Sequence, residues 1–227
     1  MDIANLSAAE LVVQATIAVF MIVNPVDPVK IIIFNDVVER QGLNRRTAAL
    51  RVSFITLLIL VGAALVGREL LQLLGINLGA FGVVGGLVVA LMGFEMLYGG
   101  TSSRTQGTKE VEDEEAEQEG LFMPLAVPLM AGPGALTTVI TLTSARDDWG
   151  VVAAVVIGVA VVCSLIFLSF AFLGDVIARA SPSTAAMLAR IGGLLLATIG
   201  TQLALGGLRT FYETCLLYTS PSPRDED

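Results

Sequence analysis

The residues best placed to do chemistry in this 227-residue chain sit at two interruptions of long apolar stretches. One is Asn24-Pro25-Val26-Asp27-Pro28, within the stretch from Leu11 to Val38; the other is Gly132-Pro133-Gly134, within that from Leu121 to Thr143. Backbone that leaves the helix at membrane depth is tolerated only where protein buries it or a wet cavity lies beside it. Two such breaks, one in each half of a chain, point to the solute site of a transporter. A half-helix starting just after Gly134 would aim the free N–H groups of Gly134, Ala135 and Leu136 at that cavity. No Ser, Thr, Asp or Asn stands immediately before it as a cap. Uncapped N–H groups and the helix dipole together suit an anion such as an amino-acid carboxylate. Thr137 and Thr138, on the first turn, would add hydroxyls. In the other half Asp27 precedes Pro28, the usual N-cap and first-turn pair. Its carboxylate has three open roles: capping its own helix, pairing with Lys30, or facing a substrate ammonium group or a coupling cation.

Other chemistries are excluded by what the chain lacks. It has no histidine, so His-based metal sites and catalytic triads are absent. Its two cysteines, Cys163 and Cys215, form no Cys-x-x-Cys pair, which argues against thiol–disulfide exchange. No glycine-rich loop ends in Gly-Lys-Ser/Thr, so ATP-driven pumping by this chain alone is not expected. Neither an enzymatic activity nor a bound cofactor is expected, beyond a proton or sodium ion if solute movement is gradient-coupled.

The elements that must carry the breaks are membrane helices. The chain is 55% hydrophobic, with a mean hydropathy of +0.80. Spanning about 30 Å of hydrocarbon takes roughly 20 apolar residues. Six spans are expected near residues 10–38 (broken), 50–68, 79–98, 121–145 (broken), 150–173 and 187–207, giving an all-α integral membrane protein. Met1 to Glu10 lacks a basic segment, so the first span is expected to serve as its own insertion signal. With the N-terminus outside, the inner loops carry Arg40, Arg45, Arg46, Arg51, Arg104, Lys109, Arg179 and Arg190. Leaving out the tail from Cys215 onward, the outer side then carries only Arg68, Arg146 and Arg209. The positive-inside rule therefore places both termini outside. The acidic run Glu110 to Glu119 reads as a solvated linker, within residues 101–120, and with the tail it accounts for most of the net charge of −8.

The linker separates two halves, 1–100 and 121–211, that repeat. Gly85-Gly86-Leu87 through Gly93 aligns with Gly192-Gly193-Leu194 through Gly200, an offset of 107 residues. The same offset carries Gly99-Gly100 onto Gly206-Gly207 and polar Glu95 onto polar Gln202. Three spans per half is an odd number, so the second half enters the membrane inverted. Gly82, Gly86 and Ala90, and the matching Ala189, Gly193, Ala197 and Thr201, are spaced for close helix packing. Glu95 either snorkels to the interface or lines the cavity, as a second candidate for ion coupling after Asp27.

The stretch Pro124-Leu-Ala-Val-Pro-Leu-Met-Ala-Gly-Pro-Gly-Ala-Leu136, the Asn24-Pro25 break, the Gly-Gly-Leu motifs and the late Gln202 resemble the MarC family from about residue 8 to 211. That family of bacterial and archaeal inner-membrane proteins includes small neutral amino-acid transporters of the SnatA type. The resemblance implies six spans in two inverted repeats and transport of glycine- or alanine-sized zwitterions. Asn24, Pro25, Asp27, Gly132, Pro133, Gly134, Ala135, Thr137, Thr138 and Gln202 then become candidate substrate contacts. The first break departs from the family's Asn-Pro-Ile-Gly-Asn-x-Pro pattern, with Asp27-Pro28 and Lys30 in that region. Alternatives are an exporter of another small solute, or a scaffold or regulatory membrane protein whose breaks only let helices pack. Cys215 to Asp227, within the tail 212–227, resembles the in-frame translation of a sequencing adaptor and carries no functional expectation.

Overall fold

The computed structural model describes residues 7–98, 130–144, 148–173 and 182–219. The acidic linker, residues 121–129, Arg104, Lys109, Arg146, Arg179 and residues 220–227 lie outside them. The first apolar stretch forms α1 (Ala8–Val23), started by a capping box in which Ser7 and Glu10 satisfy each other's backbone N–H groups. It ends at Asn24, whose φ of 44° is the one positive value outside glycine among the described residues. Asn tolerates the left-handed region better than most side chains, and its N–H closes the helix onto Phe20 O at 2.8 Å. Helix α2 (Pro28–Arg40) follows, with Asp27 O accepting the Ile31 N–H at 3.1 Å. The chain therefore breaks where the proline and asparagine chemistry predicts.

Four longer helices and one further half-helix complete the described chain. They are α3 (Arg45–Leu73), α4 (Leu78–Tyr98), α5 (Pro133–Ser144), α6 (Trp149–Leu168) and α7 (Pro182–Thr219). Asn44, Asn77 and Asp148 side chains accept backbone N–H groups at the starts of α3, α4 and α6. Helix α6 runs on into a π-helical turn, Ser169–Leu173. Arg45–Leu73, Leu78–Tyr98, Trp149–Leu173 and Ala186–Glu213 are long and apolar enough to cross a membrane, and Ala9–Val23 is a shorter apolar helix. Two spans outgrow their expected limits: α3 exceeds 50–68 at both ends, and α7 continues past 207 to Thr219, through Cys215. Length is set there by the polar caps and by uninterrupted helix formers, not by where apolar residues stop.

The most extensive packing joins α4 to α7. A Cβ built on Gly86 would lie 2.6 Å from Gly200 O, and one on Gly93 2.6 Å from Gly193 O. The contacts are reciprocal: a Cβ on Gly200 would lie 2.7 Å from Gly86 O, and one on Gly193 2.7 Å from Gly93 O. With Gly79 against Gly207, these pairs make the helices antiparallel and in backbone contact. Lipid supplies no hydrophobic drive between helices, so such close approach is what holds them. The α7 stripe runs through Gly193, Ala197, Gly200, Ala204 and Gly207; Thr201 lies on the exposed side instead and bonds back to Ala197 O. Shifting each partner by the 107-residue offset turns the Gly86–Gly200 contact into Gly193–Gly93, which is also present.

Candidate functional site

Helix α5 begins with Pro133 in its first turn, and Gly132 O accepts the Leu136 N–H at 3.1 Å. The half-helix thus starts two residues earlier than the sequence suggested, at Pro133 and not just after Gly134. Leu136 is already bonded, and the donors preceding the first intrahelical bond are those of Gly134 and Ala135, since Pro133 has none. Thr137 and Thr138 donate their hydroxyl protons to Pro133 O and Gly134 O, both at 2.8 Å, leaving their oxygens as acceptors. Ala135, Thr137 and Thr138 are all buried. Thr137 packs against Gly85 of α4, and Ile140 against Gly67 of α3. The offset partner of Gly85 is Gly192, where a Cβ would lie 3.4 Å from Asn24 Nδ2. Each glycine therefore faces the break of the other half.

The two breaks meet through α1. A Cβ on Gly134 would lie 3.3 Å from Ile22 Cγ2 and would also strike Val89, while Ile22 is one residue from Val23 and two from Asn24. Asp27 is only 4% exposed. Lys30 donates from Nζ to Val23 O at 2.6 Å, capping the last turn of α1, and its ammonium lies within electrostatic reach of Asp27. One lysine thus serves the orphan carbonyl that the break creates and the acid that starts the next helix. A cation near a helix C-terminus is also favoured by the dipole.

The π turn supplies the remaining support. Ser169 donates its hydroxyl to Pro25 O at 2.6 Å, in a buried bond across 144 positions of chain. Phe170 O accepts Arg45 Nε at 2.9 Å, and Arg45 Nη2 reaches Asn35 Oδ1 at 3.0 Å. The Phe34 and Phe170 rings meet in a tilted contact, centroids 4.5 Å apart, and the Arg46 guanidinium lies 5.6 Å from the centre of the Phe172 ring. A π turn displaces carbonyls from the regular ladder, and here two side chains, one hydroxyl and one guanidinium, tie it to the first break and to α2. Ser169→Ala would leave Pro25 O buried without its partner. That loss is expected to cost about 1–3 kcal/mol, read as a lower melting temperature in detergent, with Ser169→Thr retaining most of the stability.

Sequence reasoning missed Ser169, Arg45 and Asn35, and it counted Arg45 only as a topology charge. It also missed Ser53 and Thr56, three residues apart on one face of α3 and 6% and 0% exposed. Neither hydroxyl has a hydrogen-bond partner among the described residues, and the same holds for Thr141 and Ser144 on α5. Buried polar groups are rarely left so, and a bound water or solute would satisfy them. The signal available was polarity itself, in a helix otherwise apolar over its middle. Glu95 and Gln202 are placed differently: both lie on exposed faces, of α4 and α7, and outside the buried set at the breaks.

Interrupted apolar helices, glycine-mediated helix contact and polar groups gathered at the interruptions define a multi-pass integral membrane protein, with a candidate site at the interruptions. The profile of the MarC family integral membrane protein matches residues 9–212. The chain belongs to the MarC family. It is 32% identical over 194 residues to a UPF0056 membrane protein of Pyrococcus abyssi, covering 85% of this chain and 92% of the relative. To the UPF0056 membrane protein YvbG of Bacillus subtilis it is 27% identical over 204 residues, covering 88% and 95%. A Methanocaldococcus jannaschii relative of the same description is 29% identical over 193 residues, covering 85% and 93%. No solved structure matches significantly.

Proposed function

We propose that this protein is a secondary transporter of small neutral amino acids, of the glycine and alanine class. It works in a prokaryotic inner membrane by alternating access around the paired breaks. The observation that carries this reading is the meeting of two unlike helix ends. The α5 start offers the Gly134 and Ala135 N–H groups, and the α1–α2 junction beside it holds buried Asp27 and half-buried Lys30. A zwitterion has one charge for each: its carboxylate suits the α5 end and its ammonium group the Asp27 side. In this reading the Gly132-Pro133-Gly134 turn, Thr137 and Thr138 shape the carboxylate end, and Asn24 and Pro25 hold the opposite wall. The apolar contact of Ile22 and Val89 over Gly134 closes the site in this conformation. Two inverted halves agree with the exchange of the α4–α7 contacts under the 107-residue offset, while six spans and both termini outside rest on the apolar stretches and the arginine and lysine distribution alone. Coupling is to a proton or sodium ion, with Asp27 nearest the path.

A second reading has one observation in its favour. Ile22 and Val89 fill the space at Gly134, as expected of a scaffold whose breaks only let helices pack. The purified protein in proteoliposomes separates the two. Labelled glycine or alanine is expected to accumulate under an inward proton or sodium gradient and to exchange with unlabelled substrate inside. Neither accumulation nor exchange above empty liposomes, for any small neutral amino acid, would leave the scaffold reading standing.

A further inference from the structure

Helix α7 buries its glycine stripe against α4 and turns the opposite face outward. Successive helical residues are about 100° apart, so Gln202, two positions from both Gly200 and Ala204, points away from that contact. Leu188, Ile191, Leu195, Thr198, Gln202 and Leu205 recur at alternating intervals of three and four along this outer face, and all six are exposed. An apolar stripe facing lipid needs no cover. A carboxamide in the middle of it does.

Gln202 lies about 24 Å along the helix from Ala186 and about 16 Å from Glu213, the ends of the membrane-length segment, at 1.5 Å per residue. That is well inside the hydrocarbon, where each unmet polar group costs several kcal/mol. Its neighbour Thr198 bonds back to Leu194 O at 2.9 Å, but no hydrogen bond to the Gln202 side chain is present among the described residues. Glu95 does not supply one. The Gly93–Gly193 and Gly86–Gly200 register sets Glu95 level with Ile191, about 16 Å below Gln202 along the axis.

We infer that this face of α7 is a self-association surface, on which Gln202 pairs with Gln202 of a second copy across a two-fold axis normal to the membrane. The occupant follows from the chemistry. A carboxamide both donates and accepts, so it is complementary to itself. Two copies inserted the same way bring α7 helices together parallel, with each Gln202 at the same depth. The alternating three–four spacing is that of a left-handed helix pair, in which one polar residue on the seam fixes register, and amide pairs join helices within membranes. Such a contact is isologous and closed, which limits assembly to a dimer. Arg209, next on the stripe toward the membrane surface, is neutralised by Glu213 at 2.8 Å in its own chain, so two copies do not repel there.

Disulfide scanning in native membranes tests this, in full-length protein with Cys163 replaced by alanine and Cys215 by serine. Single cysteines at positions 194, 195, 201, 202 and 208 are oxidised with copper phenanthroline. Covalent dimers of twice the 23.8 kDa chain are expected at 195 and 202, with little product at 194, 201 and 208. Strongest cross-linking at 194, 201 and 208, adducts of another mass, or monomer throughout would each overturn the assignment. A second measurement follows dissociation of fluorescently labelled protein on dilution into excess lipid. Gln202→Leu is expected to weaken association about three- to thirtyfold, while Gln202→Asn retains it. Equal affinity of the leucine variant and the parent would remove the amide from the contact.

Discussion

Replacing Gly86 with leucine is expected to leave no folded protein, and even alanine there is expected to lower the melting temperature well beyond the effect of alanine at Gly62. The difference lies in what the added carbon meets. At Gly86 it would come within 2.6 Å of Gly200 O and 2.8 Å of Ala204 Cα, which are backbone and cannot rotate aside. At Gly62, also helical, nothing stands within 4 Å. Overpacking commonly costs about 1–3 kcal/mol when side chains can adjust; here α4 and α7 must separate along their whole seam. Gly62→Ala should by contrast be neutral or stabilising by up to about 1 kcal/mol, from helix propensity alone. Gly200→Ala should match Gly86→Ala, because the contact is reciprocal. The double variant should cost less than both singles added, since the second carbon enters a seam already opened. Thermal unfolding followed by size-exclusion chromatography in detergent measures all four. Equal melting temperatures for Gly86→Ala and Gly62→Ala would mean that the seam is not a determinant of stability.

The glycine seam was legible in the sequence because its cause is local: small residues at helical spacing have one efficient use inside a membrane. The breaks were legible for the same reason. Proline removes a donor and fixes φ, and asparagine accepts a left-handed conformation, so Asn24 to Pro28 and Gly132 to Gly134 announce themselves without reference to the rest of the chain. The start of α5 was two residues off because a glycine carbonyl, with no side chain to mark it, accepts the first helical bond at Gly132.

What closes the first break was not legible. Pro25 O is met by Ser169 and Phe170 O by Arg45, across 144 and 125 positions of chain. No spacing rule links residues so far apart. The π turn that offers Ser169 and Phe170 adds one residue to a helical turn, an irregularity decided by tertiary contact rather than by propensity. Pairing with Lys30 was one of three roles open to Asp27, and Lys30 has a further use: its long stem lets it reach the Val23 carbonyl, which only the geometry of the break exposes. Gln202 shows the opposite case. Its equivalence to Glu95 was visible, but the face it occupies depends on which stripe of α7 meets α4.

The Asp27–Lys30 pair allows its structural and functional roles to be separated. Asp27→Asn alone is expected to lower stability by up to about 3–5 kcal/mol, because it leaves the half-buried Lys30 ammonium without its counter-charge. Any loss of uptake in that variant is therefore ambiguous. Asp27→Asn combined with Lys30→Gln removes both charges together at similar volume, and the glutamine can still donate toward Val23 O. Replacing both members of a buried pair is commonly near neutral for stability, so the double variant should melt close to the parent. If the Asp27 carboxylate meets the ammonium group of the solute, refolding the protein does not restore that contact. Losing a charge-assisted hydrogen bond of about 1.5–3 kcal/mol lowers the apparent affinity for glycine or alanine roughly 10- to 100-fold. The expected result is a folded double variant with exchange strongly reduced at low substrate and partly recovered at high substrate. A double variant that melts like the parent and transports like it would confine Asp27 to compensating Lys30 and starting α2. The ammonium group would then have to be met elsewhere, and the buried hydroxyls of Ser53 and Thr56 on α3 are the next acceptors that lack a partner among the described residues.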